Sequence, residues 1–169
     1  MTGLSVYEYM LKILLAGDGG QGIQLLSHII CESAFHLGLE VTHIPNYGLE
    51  QRGGVSLAFI KIGKEKIVYP KFRQADLMLI MSPQAEERTL SYVDSTSYKL
   101  QATSYKEFFN REKLLEQSHN IFFLGKLLRI LKEKGLVDIE YAKKLLVEKL
   151  SNKPGWEENQ KAFELGSSK

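Results

Sequence analysis

The amino-acid sequence predicts an α/β fold: a Rossmann-like, mainly parallel sheet with an inserted β-hairpin and a helical C-terminal third. Three observations lead to this prediction. The predicted strand 11–16, with its apolar run 13–16, is followed by the glycine cluster 17–22 and then by helical periodicity, which is the order of a strand, a turn and a helix. A second predicted strand at 39–44 completes a βαβ unit. From residue 120 onwards the apolar spacing is helical.

The first half of the chain shows clear local signals. The first helix is expected over 22–37 and is closed by Gly38, and the second strand is expected to stop at Pro45. Residues 46–54 contain three glycines without periodicity and are predicted to form a loop. Gly63, Lys64 and Glu65 separate two runs of strand-forming residues, which predicts a hairpin that pairs 55–62 with 66–69.

The second half begins with a central strand and ends in helices. Residues 76–81 are almost continuously apolar, as in a buried parallel strand. Residues 91–118 are polar, and only one short strand is expected among them. The expected helices and their boundary signals are 84–90 after Ser82-Pro83, 120–134 before Gly135, 138–150 capped by Asp138, and 156–165 after Pro154-Gly155.

Length and composition limit the class of protein. The chain has 169 residues, which predicts a single domain over 1–169. Its net charge is only +2 with both signs interspersed, so we expect no nucleic-acid groove. One cysteine excludes an internal disulfide and an iron–sulfur cluster held by this chain's thiolates. We expect no signal peptide and no membrane association, and a cytoplasmic location.

The glycine cluster is the main functional signal. Gly17, Gly19 and Gly22 satisfy G-x-G-x-x-G between a predicted strand and a predicted helix, where a helix N-terminus can bind phosphate. A dinucleotide site also needs an acidic residue at the end of the second strand. This chain has His43 and Pro45 there, so a small NAD-dependent oxidoreductase is an alternative with an incomplete motif.

Thiamine diphosphate is a second alternative. Gly17-Asp18-Gly19 together with Asn46 matches part of a Gly-Asp-Gly…Asn signature, in which the carboxylate and the amide hold Mg²⁺. Tyr47 stands where that signature usually has a second asparagine. The chain is also too short for the second domain that holds the pyrimidine ring.

Two segments taken together are more specific. Residues 17–22 have the sequence GDGGQG and residues 47–54 have YGLEQRGG, which match G-x-G-G-Q-G and Y-G-x-E-x-R-G-G. With these motifs the chain resembles the gamma subunit of the 2-oxoacid:ferredoxin oxidoreductases, whose members act on pyruvate, 2-oxoglutarate, 2-ketoisovalerate or indolepyruvate. The likeness continues through Ala75-Asp76, residues 120–125 and residues 159–166. Residues 82–118 are shorter than the family pattern.

The resemblance implies a subunit that is inactive by itself. The family oxidatively decarboxylates a 2-oxoacid to an acyl-CoA with thiamine diphosphate and passes electrons through iron–sulfur clusters to ferredoxin. The implied partners are alpha and beta subunits, with delta as a further candidate, and ferredoxin as acceptor. Thiamine diphosphate, Mg²⁺ and the clusters are expected on those partners, with coenzyme A as a shared ligand. A free-standing nucleotide- or CoA-binding module is the alternative.

The two glycine-bearing loops are expected to meet at one edge of the sheet and to face coenzyme A or a subunit junction. Gln21 can donate and accept through its carboxamide, and Arg52 can bind a carboxylate or phosphate through two N–H groups. That the loops only brace each other is the open alternative. No catalytic and no metal-binding residue is predicted. The predicted binding residues are Gly17, Gly19, Gly20, Gln21, Gly22, Tyr47, Glu50, Arg52 and Gly53.

Two helical patterns have structural explanations. Gln24, His28, Glu32 and His36 recur at every fourth position opposite the apolar stripe of the first helix, and we interpret them as a solvated face rather than a metal site. The helix at 120–134 is apolar around most of its girth. It is therefore expected to be buried between the sheet and the other C-terminal helices, with a partner interface as the alternative.

Overall fold

The structure is a computed structural model that describes residues 10–46 and 54–168. Its centre is a five-stranded sheet in the order β2-β3-β1-β4-β5. The strands are β1 Leu11–Asp18, β2 Glu40–Asn46, β3 Val55–Gly63, β4 Leu77–Ile80 and β5 Tyr98–Gln101. The helices are α1 Ile23–His36, α2 Pro83–Thr89, α3 Lys106–Glu112, α4 His119–Glu133, α5 Ile139–Leu150 and α6 Trp156–Ser168. The predicted fold class is confirmed.

Four of the five strands run in one direction. β1 pairs in parallel with β4, and β4 pairs in parallel with β5. β3 runs antiparallel between β1 and β2. The βαβ opening is therefore present, with β3 lying between its two strands. The inserted hairpin consists of β2 and β3.

The predicted position of the hairpin was wrong. Residues 66–69 do not form a strand, because β3 already hydrogen-bonds to β1 on one side and to β2 on the other. β2 also continues through Pro45, where a stop was expected. Proline is tolerated there because β2 lies at the edge of the sheet, where an N–H group that faces away from β3 has no ladder partner to lose.

The long helices cover one face of the sheet. The main core joins alternate residues of β1 and β3, such as Ile13 and Ile60, to α1 and to the C-terminal helices. A smaller core on the other face joins Leu14 and Met78 to Ala85 of α2 and to the partly buried Phe72. Because α2 is short, this second face has a thinner cover than the first.

The predicted burial of the helix after residue 120 is confirmed. Phe122, Leu124 and Leu128 of α4 are fully buried. α4 crosses α6 at two glycines, Gly125 and Gly166, which let the two backbones come into contact. The interior of the C-terminal third is thus built around α4, whose apolar surface is satisfied within the chain.

Helix starts follow the predicted capping residues. The Ser82 hydroxyl accepts the Ala85 N–H at 3.0 Å and begins α2. Asp138 accepts the N–H groups of Glu140 and Tyr141 at 3.0 and 3.1 Å and begins α5. Within the two described ranges, we find no helix with the length and apolar character needed to cross a bilayer.

Candidate functional site

The glycine cluster forms the C-terminal end of β1 and the turn into α1. Gly20 and Gly22 have φ angles of +95° and +75°, a conformation that residues with side chains rarely adopt. The Gly22 carbonyl accepts the N–H groups of Leu25 and Leu26 at 3.0 and 3.1 Å, so α1 starts directly after it. No described side chain caps this helix start, which leaves its first N–H groups available to a ligand.

Gln21 closes the turn with its own side chain. Its Oε1 accepts the Asp18 N–H at 2.7 Å, and its backbone N–H donates to the Asp18 carbonyl at 3.0 Å. A Cβ at Gly17 would lie 2.8 Å from that Oε1 and 3.0 Å from Ile23, so Gly17 leaves the room that the turn needs. Besides this bond, the Gln21 side chain can offer a ligand its NH₂ group and the second lone pair of Oε1.

The loop is fixed to both neighbouring strands. The Gly19 N–H donates to the Gly54 carbonyl at 2.9 Å, next to the start of β3. The Ser82 hydroxyl donates to Asp18 Oδ1 at 2.7 Å, beyond the end of β4. The carboxylate of Asp18 therefore joins the end of β1 to the start of α2.

Asn120 was not predicted as a site residue, yet it forms one wall of the site. It is the second residue of α4, and a Cβ at Gly22 would overlap its side-chain nitrogen. Its Oδ1 accepts the Ile121 N–H at 2.8 Å. The sequence signal that could have indicated it is its place at the start of the segment 120–125, which the resemblance already included.

A cavity of about 500 Å³ opens between the glycine loop and the segment that leads into α4. It lies at the edge where the parallel strands β1 and β4 end, the usual location of ligands in α/β sheets. Within the part of the chain that the structure describes, the lining contains three carboxamides and one carboxylate but no lysine or arginine. The lining residues are Gly20, Gln21, Met81, Leu115, Glu116, Gln117 and Asn120.

A second cavity of about 510 Å³ adjoins the first and shares Leu115 and Glu116 with it. It lies beyond the end of β5 and contains Lys106 and His119. The His119 ring stacks on Phe109 with centroids 3.8 Å apart, and its Nε2 lies 3.2 Å from the Leu114 carbonyl. His119 is therefore held by its neighbours as part of the cavity wall.

Five of the nine predicted binding residues are described, and the structure brings them together. Gly17 lies at the end of β1, and Gly19, Gly20, Gln21 and Gly22 form the turn that follows, of which Gly20 and Gln21 line the cavity. The other four, Tyr47, Glu50, Arg52 and Gly53, lie outside the described residues. The described end of their segment, Gly54, contacts the glycine loop through Gly19.

The described residues do not fit a Mg²⁺–thiamine site. Asp18 and Asn46 lie on β1 and β2 with β3 between them, and the Asp18 carboxylate is engaged by Ser82. Among the described residues no group of three or more His, Cys, Asp or Glu side chains could hold a metal ion. An iron–sulfur cluster does not fit either, because such clusters are held by several thiolates and Cys31 is the one cysteine of the sequence.

The predicted solvated face of α1 is only partly solvated. His28 and His36 are exposed. Gln24 instead donates through Nε2 to the Ser56 hydroxyl and to the Leu57 carbonyl, each at 3.0 Å. This side chain therefore fixes α1 to β3 rather than facing water.

The fold and the site together define a Rossmann-like module with a cavity at the carboxyl ends of its parallel strands. Residues 12–169 match the family of pyruvate ferredoxin/flavodoxin oxidoreductases. The chain belongs to this family, which confirms the resemblance seen in the sequence.

Individual relatives agree with this assignment. The chain is 39% identical over 84 residues to the 2-oxoglutarate synthase subunit KorC of Methanothermobacter marburgensis, which is 49% of this chain and 44% of that protein. The chain thus spans about half the length of the curated relatives it matches. A structure of the gamma subunit of keto/oxoacid ferredoxin oxidoreductase from Geobacter sulfurreducens is 25% identical, with a TM-score of 0.70, over 95% of this chain and 96% of that one.

The fold is also found inside a larger chain. A structure of 2-oxoglutarate:ferredoxin oxidoreductase from Magnetococcus marinus, with 2-oxoglutarate, coenzyme A and succinyl-CoA bound, matches 94% of this chain and 30% of its own. The TM-score is 0.75 at 19% sequence identity, so this likeness concerns the fold.

Proposed function

We propose that this chain is the gamma subunit of a 2-oxoacid:ferredoxin oxidoreductase. In this role it supports the thiamine-dependent oxidative decarboxylation of a 2-oxoacid to an acyl-CoA, with electrons passed to ferredoxin. The complex contains alpha and beta subunits, with delta as a further candidate, and works in the cytoplasm. Family membership over residues 12–169 and the likeness to a separate gamma subunit over almost the whole of both chains support the proposal.

The observation that carries the proposal is the cavity between the glycine loop and the start of α4. Two rigid elements, α1 and α4, begin at this cavity, and the loop between β1 and α1 is fixed to β3 and β4 by hydrogen bonds. A cavity whose walls are held in this way can bind a ligand, or the edge of a partner chain, without first becoming ordered. The cavity contains no candidate for the decarboxylation chemistry among its described residues, which is consistent with a supporting subunit.

The chemistry of the lining favours one part of coenzyme A. Carboxamides at Gln21, Gln117 and Asn120 can hydrogen-bond to amides, while Met81 and Leu115 can contact methylene groups. These groups match the neutral, amide-bearing arm of coenzyme A better than its phosphates, because the described lining has no cation and includes Glu116. Within the proposal, Arg52 supplies the positive charge for the phosphates. It stands two residues before Gly54, which contacts the loop.

Thiamine diphosphate and the iron–sulfur clusters belong, in this proposal, to the partner subunits. Thiamine diphosphate supplies the carbanion chemistry of decarboxylation there, and the clusters accept the electrons. The residues of this chain bind and orient the acceptor of the acyl group at Gly20, Gln21 and Asn120.

Steady-state kinetics of the reassembled enzyme test the proposal. Arg52→Ala should raise the KM for coenzyme A about tenfold, the order of magnitude of one lost charge-assisted hydrogen bond. Arg88→Ala, at an exposed position on α2, is the matched control and should leave the KM unchanged. Unchanged kinetics for Arg52→Ala, with normal assembly, would remove coenzyme A from the proposal.

Co-purification distinguishes the alternatives. A tagged full-length chain should bring down large thiamine-binding and cysteine-rich chains from its own cells. A free-standing module would be recovered alone and would bind coenzyme A by itself. A small oxidoreductase would instead bind NAD, which calorimetric titration detects.

A further inference from the structure

A second feature lies at the opposite end of the sheet from the glycine loop. Because β3 is antiparallel to β1, its start at Val55 lies opposite Asp18, while Ile62 lies opposite Leu11. The segment that follows β3, residues 64–73, therefore begins at the amino end of β1. We call these ten residues the basic ledge. A molecule bound there leaves the glycine-loop cavity open.

The ledge is strongly positive. It has four cations and one carboxylate, a net charge of +3 in a chain whose net charge is +2, so the remaining residues are together slightly acidic. All four cations are exposed, and no ion pair to any of them is found within the described part of the chain. They are Lys64, Lys66, Lys71 and Arg73. This charge is available to an external partner.

The centre of the ledge is apolar and exposed. Val68 is 87% exposed and the adjacent Tyr69 is 65% exposed. A single exposed apolar residue needs no explanation, but two adjacent ones between flanking cations have the composition of an interface centre with a charged rim. Tyrosine in particular is enriched among residues that contribute most to binding energy.

Side chains of β3 hold the ledge in place. Lys61 of β3 is only 9% exposed, and its Nζ donates to the Tyr69 carbonyl at 2.6 Å. Its Nζ also lies 5.8 Å from the centre of the Tyr69 ring. Farther along, Phe72 packs edge-to-face on Phe59 with ring centroids 5.5 Å apart. A nearly buried lysine is unusual, and here it fixes the backbone that presents Val68 and Tyr69 to the outside.

We propose that the basic ledge is the docking surface for an acidic face of a partner polypeptide, with Val68 and Tyr69 at the centre and the four cations at the rim. Charge complementarity selects a carboxylate-rich partner and speeds the encounter, while the apolar centre selects a protein rather than a free anion. The pre-ordered backbone reduces the entropy lost on binding. The inference rests on the proposed function only in expecting the partner to be another subunit of the oxidoreductase.

Site-specific cross-linking tests the ledge in the assembled complex. A photoreactive amino acid at position 68 of the full-length chain, introduced in its own cells, should cross-link to a segment of a partner subunit that mass spectrometry shows to be rich in Asp and Glu. The same group at Val147, which is 46% exposed on α5, is the control and should not label that segment. A neutral or basic segment, nucleic acid, a second copy of this chain or no product at all would contradict the inference.

Charge reversal provides the second readout. The triple variant Lys66→Glu, Lys71→Glu and Arg73→Glu should weaken the affinity for the partner roughly tenfold or more at low salt, and the loss should shrink as salt is added. Reversing the charge of three lysines at exposed positions outside the ledge should change the affinity for the partner by less than about twofold. The control positions are Lys99, Lys144 and Lys153. Equal effects of the two triple variants on the affinity would contradict the inference. If the ledge variant does not fold, the salt dependence of the wild-type affinity for the partner is measured instead.

The two proposals fail separately. Recovery of the chain without thiamine-binding subunits would overturn the proposed function, yet position 68 would still have to label an acidic protein segment. Conversely, an intact oxidoreductase in which position 68 labels nothing acidic would overturn the ledge and leave the function standing.

Discussion

The side-chain nitrogen of Asn120 occupies the space that a Cβ on Gly22 would need. A side chain at position 22 would therefore force the amide of Asn120, at the start of α4, to move. Gly22 also has a φ of +75°, so its backbone conformation requires glycine for a second, independent reason. The cavity of the candidate site lies beside this contact, which makes its shape depend on both residues.

Replacement of Gly22 by alanine should lower the free energy of unfolding by about 1–2 kcal/mol for the left-handed backbone conformation, with a smaller further loss for moving the Asn120 amide. Gly38→Ala is the matched control, because Gly38 has nearly the same φ of +76° but open space around it. It should show only the backbone part of the loss. Urea denaturation measures the free energy of unfolding of both variants.

A double variant, Gly22→Ala with Asn120→Ala, measures the part of the loss that comes from the overlap with Asn120. Asn120→Ala removes the nitrogen that a new Cβ at position 22 would meet, so the double variant should recover part of the loss. Equal destabilisation by Gly22→Ala and Gly38→Ala, with no recovery in the double variant, would show that the contact does not constrain the loop.

The crossing of α4 and α6 gives a stronger prediction. A Cβ at Gly125 would lie 2.6 Å from the Phe163 carbonyl oxygen and 2.8 Å from the Ser167 nitrogen, and a Cβ at Gly166 would overlap the Phe122 carbonyl. Because these neighbours are backbone atoms, Gly125→Ala and Gly166→Ala should each lower the free energy of unfolding by about 3 kcal/mol or more. Gly63→Ala, where the nearest atoms belong to Met10 at 3.6–3.7 Å, should leave it nearly unchanged. Comparable urea midpoints for all three variants would refute the close crossing.

The bond between Asp18 and Ser82 couples the glycine loop to α2. Ser82→Ala removes both this bond and the cap on Ala85, and should lower the free energy of unfolding by about 1–2 kcal/mol. In a double-mutant cycle with Asp18→Ala, a coupling of about 1 kcal/mol is expected. Ser82→Thr keeps the hydroxyl and serves as the control. A coupling near zero would mean that the two side chains act independently.

Cys31 should be unreactive in the folded protein. Burial and the Glu32 carboxylate raise the pKa of its thiol from 9.0 to about 12, so almost no thiolate forms at mildly alkaline pH. Alkylation by iodoacetamide should be at least ~100-fold slower in the native state than in denaturing urea, as expected for a pKa raised by several units. Rapid alkylation of the native protein would contradict this description of α1.

The same shift has a consequence for stability at alkaline pH. Since the folded-state pKa is the higher one, the contribution of Cys31 is fully present below pH 9 and is lost as pH rises from 9 towards 12. Relative to a Cys31→Ala variant, the wild type should therefore lose stability over this window. Parallel stability curves for the two proteins over that range would rule out the shift.

The sequence was sufficient for the elements whose signals are local. The strand, glycine turn and helix at residues 11–37 depend on periodicity and on glycine, and Asp138 starts α5 because its carboxylate binds the next free N–H groups. The hairpin could not be placed in this way. Residues 66–69 have strand-forming composition, but whether they pair depends on β3 having a free edge, which is a property of the whole sheet.

The candidate site was predictable where it consists of one segment. The loop at 17–22 was identified from its glycines, and its contact with Gly54 agrees with the expected meeting of two distant loops. Asn120 and Gln117 were missed as site residues because they reach the cavity only through the packing of α4 against the start of α1. Gln24 was misinterpreted as solvated because helical spacing does not show that its amide faces the start of β3.

In the proposed function this chain is a supporting subunit of a 2-oxoacid oxidoreductase. The most direct test of this role is the CoA-dependent reduction of ferredoxin by 2-oxoacids, measured on the complex with the chain removed and again after purified chain is added back. We expect that neither the chain alone nor the depleted complex forms acyl-CoA, and that recombining them restores the activity. Full activity of the depleted complex, or acyl-CoA formation by the isolated chain, would contradict this role.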